Sequence, residues 1–180
     1  MTQPLQQDYV FLNKEPGPRV IKEALALLGV KEVVGEKHNA QILGWAKELG
    51  LSRIYSSDEI PWCGLFIAYV VKKADFTPVV DPLWARNWVK FGTKQEVAML
   101  GDILVFSRGA TGGHVGLYVA EDATCYHVLG GNQGNKVSIV RIEKSRCIGI
   151  RRCPWKVAQP ANVRQVKVKV INGIVSKDES

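Results

Sequence analysis

A chain of 180 residues that is 46% hydrophobic can bury one good core and is too short for two ordinary domains. It has no apolar stretch long enough to cross a membrane, and its first twenty residues lack the basic-then-apolar pattern of a secretory leader. The net charge of +7, concentrated late between Arg141 and Lys169, favours an anionic partner, either nucleic acid or an anionic cell wall or outer-membrane surface; basic residues guarding strand edges account for part of it.

Residues 1–17 are polar and carry Pro4, Pro16 and Gly17, which reads as a loosely attached arm. From Pro18 the apolar positions Val20, Ile21, Ala24, Leu25, Leu27 and Leu28 fall on an i, i+3, i+4 stripe, predicting a helix to about residue 28 that Gly29 ends. Asn39 is placed to cap a second helix, with Ile42, Leu43, Ala46 and Leu49 inward and Gly50 as terminator. Pro61 opens a third, which should run to about Ala74 and is apolar almost all round, so it should be buried. Trp84, Ala85, Trp88, Val89 and Phe91 form a short helix closed by Gly92, its tryptophans expected in the core or with one edge lining a sugar-binding groove.

After Gly101 the period changes from helical to alternating. Segments 103–106, 114–120, 124–129, 137–142 and 148–151 read as strands separated by glycine-rich or acidic turns. Helices followed by an antiparallel meander of about five strands define an α+β domain over residues 18–154. Residues 155–180 look appended: an alternating segment from Val166 to Val170 followed by Asn172-Gly173 gives a possible edge hairpin or assembly arm.

The residues that can carry chemistry are few. Cys63 falls in the first turn of the buried third helix, at the positive end of its macrodipole, which favours thiolate over thiol. Cys125, Cys147 and Cys153 read as structural; the four cysteines show neither a C-x-x-C pair nor a disulfide-framework spacing, and no metal or cofactor is expected. Only three histidines exist. His38 lies in a polar loop and reads as a surface residue. His114 follows Thr111-Gly112-Gly113 and starts a strand, with Gly116 keeping its face uncrowded for whatever approaches. A thiol hydrolase needs a sulfur, an imidazole to take its proton and a group that fixes the ring's tautomer. Cys63 and His114 supply the first two. The next strand and its end offer His127 and Asn132 for the third, on opposite faces of a regular strand unless Gly130-Gly131 forms a bulge. Asp58 and Glu59 are read as caps for the Cys63 helix, or as contacts to a substrate amine.

The ordered blocks Asp58-Glu59-Ile60-Pro61-Trp62-Cys63-Gly64-Leu65-Phe66, Gly101-Asp102-Ile103-Leu104-Val105-Phe106, Gly113-His114-Val115-Gly116-Leu117-Tyr118-Val119 and Gly130-Gly131-Asn132-Gln133 resemble the papain-like peptidoglycan hydrolases of the CHAP and NlpC-like families, particularly small phage and prophage cell-wall hydrolases. The resemblance covers roughly residues 55–152. It implies a papain-like domain with Cys63 as nucleophile and His114 as base. The CHAP pattern then points to Asn132 as third residue and the NlpC-like pattern to His127; Gly-Gly-Asn is closer to the CHAP strand end. Gly130 departs from the acidic residue CHAP domains often carry there, and no aspartate cluster matches the calcium site of some members. The implied activity is hydrolysis of an amide in the peptidoglycan stem or cross-link, as an endopeptidase or an N-acetylmuramoyl-L-alanine amidase, at the bacterial cell wall or periplasm or carried in a phage particle. A phage structural or secretion partner would engage residues 155–180. Two other readings are a virion or tail structural protein keeping a degenerate hydrolase fold, and a nucleic-acid binder, for which charge is the only argument and no basic helix or aromatic signature exists.

Overall fold

The computed structural model describes residues 4–33, 35, 37–169, 174–177 and 179. Three helices come first: α1 (Arg19–Leu25), α2 (Ala40–Glu48) and α3 (Cys63–Lys73). Asn39 caps α2 as its sequence position predicts, its side-chain oxygen accepting from the N–H groups of Gln41 and Ile42. In α3, Leu65, Phe66, Ile67, Ala68, Val70 and Val71 are all fully buried, the outcome expected of a helix with apolar residues on every side. Trp45 of α2 lies against Trp62, Phe66 and Tyr69, with ring centroids 5.4–6.0 Å apart, and this aromatic group locks α2 onto α3.

Six strands follow: β1 (Thr93–Lys94), β2 (Ile103–Arg108), β3 (Gly112–Glu121), β4 (Cys125–Gly130), β5 (Ser138–Glu143) and β6 (Cys147–Arg152). They form one open antiparallel sheet in the order β1-β6-β2-β3-β4-β5, so the fold is α+β. The sequence reading gave five strands; two-residue β1, paired with Arg151 and Arg152 at the sheet edge, carries no alternation to detect. One face, through Ile103, Val105, Val115, Leu117 and Leu129, packs on the helices, while Leu104, Phe106, Tyr118, Val128 and Ile142 build a smaller core on the other. Arg152 forks onto Asp102, both bonds 2.8 Å, clamping the end of β6 to the start of β2. No helix among the described residues is long and apolar enough to cross a membrane.

Four expectations are corrected. Within the arm 1–17, the described residues are not loose: Gln7–Lys14 forms a 3-10 helix whose Tyr9 and Leu12 are buried. The tail is not a detached appendix, because Val166 bonds the Tyr118 hydroxyl and both Val166 and Val168 bond the backbone of Glu121. Val175 and Ser176 pair with Arg141 on β5. The predicted turn at Asn172-Gly173, and Val170 before it, lie outside the described residues. Trp84 is not core: it stands 68% exposed ahead of the 3-10 helix Ala85–Lys90, whereas Trp88 is fully buried. Gly116 does not clear space for an approaching helix. A Cβ there would meet the Val128 side chain at 2.3 Å, so the glycine admits the neighbouring strand instead.

Candidate active site

The ladder between β3 and β4 runs from Glu121↔Tyr126 to Leu117↔Leu129, so the first residues of β3 extend past the end of β4. Cys63 is the first residue of α3 and 6% exposed, and the backbone N–H groups of Val115 and Gly64 favour its thiolate form. Val115 follows His114 on β3, so the two candidates act at adjoining positions of one strand, with Val115 facing the helices and His114 paired with Phe106 of the other face. Arg108, at the end of β2 and paired in register with Gly112, places positive charge on both of them.

His114 is 2% exposed, and its Nε2 lies 2.9 Å from Oε1 of Gln133. The orientation of that amide is set from its other end. The Gln133 side-chain NH2 donates to the carbonyl oxygens of Ser138 at 2.6 Å and Val128 at 3.2 Å, so only its oxygen can face the ring. His114 must therefore donate from Nε2, which makes Nδ1 the basic nitrogen. Among the described residues, no hydrogen bond engages that Nδ1. Gly130 makes the contact possible, since a Cβ there would lie 2.6 Å from Gln133 Oε1 and 3.3 Å from His114 Nε2.

Burial dominates the electrostatics. It pushes the Cys63 thiol up, against the opposing pull of the Val115 and Gly64 N–H groups and of Arg108. It draws His114 down to about 4, with Glu179 and Gln133 pulling the other way. Thiol and imidazole are thus both neutral at pH 7. The expectation that the helix end would favour a thiolate is overturned for this closed arrangement, because loss of water outweighs a partial charge at the helix terminus.

The third position also differs from the sequence reading. Asn132 sits in the turn after β4 with φ 58°, in the left-handed region asparagine tolerates, and that backbone swing returns the next side chain, Gln133, beneath the strand to His114. His127 faces elsewhere. Its Nδ1 meets the Tyr9 hydroxyl and its Nε2 meets Asp122 Oδ2, both at 2.8 Å, and Asp122 also accepts from Arg141 at 2.7 Å. The buried ring is thereby satisfied at both nitrogens and ties the N-terminal arm to the sheet. Asp58, expected to cap α3, instead accepts from the N–H groups of Val33 and Asn39 and from His38 Nδ1, so it steadies the start of α2 and takes His38 with it. Trp62 is fully buried, its Nε1 donating to Glu32. Cys125 and Cys153 are buried, Cys147 is half-buried, and all are free thiols.

The class defined by fold and site is therefore an α+β protein with a buried cysteine at the start of α3 and a buried, tautomer-fixed histidine near the start of β3. No family model matches the chain, and no curated protein matches it.

Proposed function

We propose that this chain is a papain-like cysteine hydrolase that cleaves an amide bond in the stem peptide or cross-link of peptidoglycan. The observation that carries the reading is the Gln133 amide, anchored so that it can only accept from His114 and so leaves Nδ1 as the ring's basic nitrogen, one position along β3 from the backbone N–H that acts on Cys63. Cys63 is the nucleophile, His114 the general base and then acid, and Gln133 the residue that positions the ring.

In the reaction the thiol proton passes to Nδ1 as the sulfur attacks the amide carbonyl carbon. The C–N bond breaks, the imidazolium returns the proton to the departing amine, and a thioester on Cys63 remains. Water then attacks the thioester with His114 as base, releasing the acid and restoring the thiol. The N–H of Cys63, free of an i−4 partner in the first turn of α3, is available to the oxyanion. A neutral imidazole is already in the form a base requires, and a neutral thiol gives up its proton only when the carbonyl is in place.

The enzyme would act at the bacterial wall, where a basic chain meets an anionic polymer. The concealment of Cys63 and His114 also fits a second reading, a virion or tail structural protein that keeps a degenerate hydrolase fold. Digestion of purified peptidoglycan by the protein and by Cys63→Ala, followed by mass spectrometry of the released ends, separates the two. New amino ends from the wild type alone support the hydrolase and identify the bond; equal release by both proteins sinks the thiol mechanism.

A further inference from the structure

Arg146 lies in the turn between β5 and β6, and two contacts with Ser107 fix it: its Nε donates to the Ser107 carbonyl at 3.2 Å, and its own carbonyl accepts from the Ser107 hydroxyl at 3.3 Å. Ser107 follows Phe106, which pairs with His114 across the β2–β3 ladder, so the guanidinium is held at the end of the sheet where the candidate site lies. Its two outer nitrogens donate to the two carboxylate oxygens of Glu179, both at 2.8 Å, in a planar fork.

The setting of that carboxylate is unusual. Ile174 and Lys177, nearby in the same segment, are exposed, Ile174 at 93%, yet the Glu179 side chain is wholly buried. The segment reaches the site along β5, through the pairing of Val175 and Ser176 with Arg141. The Glu179 carboxylate lies close enough to His114 that each alters the other's titration, and Arg108 and Arg146 both act on the same ring. A carboxylate delivered by a partly exposed segment thus sits on a guanidinium at the end of the sheet that carries the base.

We propose that Arg146 is the recognition site for a carboxylate on the substrate peptide, and that Glu179 fills it as an internal competitor until substrate arrives. This rests on the cysteine hydrolase reading, and it narrows the substrate class to peptides bearing a free carboxylate near the scissile amide. The planar fork suits any carboxylate equally well. A tethered group acts at an effective concentration of about millimolar, enough to occupy the site at rest and to yield to a substrate with further contacts. It also accounts for the concealment of Cys63 and His114 without requiring an inert site.

Two alkylating reagents that differ in charge test this on the intact protein without peptidoglycan. Iodoacetate and iodoacetamide are each reacted with the wild type, Glu179→Gln and Glu179→Gln/Arg146→Gln, and modification of Cys63 is followed by peptide mass spectrometry. The ratio of the iodoacetate rate to the iodoacetamide rate should rise about tenfold in Glu179→Gln and fall back in the double variant. Acetate at millimolar concentration should slow alkylation of Glu179→Gln and leave the wild type unchanged, a comparison within one folded protein that does not depend on how the variant's stability compares. A ratio within twofold of the wild type in Glu179→Gln, or no protection of that variant by acetate, overturns the proposal. If the ratio shifts but peptidoglycan is not cleaved, the carboxylate site stands and the wall reading falls; if peptidoglycan is cleaved and the ratio is flat, the hydrolase stands and the carboxylate site falls.

Discussion

His114 on β3 and His127 on β4 are both buried, and each has a ring nitrogen within 2.9 Å of a side-chain oxygen. The partners of His127 form a closed set: the Tyr9 hydroxyl on one nitrogen, the Asp122 carboxylate on the other, and Arg141 neutralising that carboxylate. His114 has one neutral partner, Gln133, and among the described residues no hydrogen bond engages its remaining nitrogen. By composition the His127 group resembles a catalytic triad more closely. By connectivity it is a rivet, because every polar atom of the ring is used and nothing remains to exchange a proton with a substrate. A carboxylate beside a buried histidine is therefore a weaker sign of chemistry than a ring nitrogen left without a partner.

The contrast is sharpened first by removing the rivet's anion. Asp122→Ala leaves Arg141 and the buried His127 without their counter-charge and should lower unfolding free energy by about 3 kcal/mol in urea titrations. The alkylation rate of Cys63 by iodoacetamide should stay within about twofold under native conditions, since no contact joins the two groups.

Acid provides the next test. The unfolded chain protonates its histidines near pH 6.5, whereas burial holds His114 neutral down to about 4. A folded pKa below the unfolded one means stability that is complete above pH 6.5 and declines as pH falls towards 4, by about 3 kcal/mol for this ring. Burial lowers His127 too, so the whole protein has further acid sensitivity of the same sign. The His114 share is the difference between wild type and His114→Gln in urea midpoints at pH 7 and pH 4.5, and a parallel decline in both proteins would remove it.

Smaller still is the effect of Gly130→Ala. The added methyl must displace Gln133 Oε1 or the His114 ring. Loss of ring alignment should slow release of peptidoglycan fragments by about a hundredfold, and retained activity would mean that Gln133 does not position the base. The mildest change, Tyr9→Phe, deletes one buried hydrogen bond to His127 and should cost about 1 kcal/mol. Exchange protection of residues 7–14 should fall most, because that bond fastens the arm.

Much of this arrangement was legible in the sequence, for identifiable reasons. Asn39 before an apolar stripe and Pro61 before Cys63 are strong start signals, and α2 and α3 begin where those signals place them. Segments 103–106 and 114–120 alternate between two buried faces, so β2 and β3 were readable within a few residues. Features that depend on tertiary contacts were not. The arm looked loose because its prolines and polar residues masked the apolar run Tyr9-Val10-Phe11-Leu12, and its attachment through Tyr9 depends on a histidine 118 positions away. Gln133 was missed because strand parity was extended through Asn132, whose positive φ resets it. Its only sequence signal was its place beside Gly130-Gly131-Asn132. Nothing in a run of tail residues marks Glu179 as a buried partner for Arg146.

The central claim is that one buried histidine does chemistry and the other holds the fold, and paired substitution to glutamine tests it most directly. Fragment release from purified peptidoglycan is measured per folded molecule, with folding checked by near-ultraviolet circular dichroism and urea midpoint. The account predicts that His114→Gln stays folded and loses at least about a hundredfold in rate, while His127→Gln loses stability and keeps the rate of its folded fraction. A folded His127→Gln that is inactive beside an active His114→Gln would contradict it and return the catalytic role to the Asp122 side of the sheet.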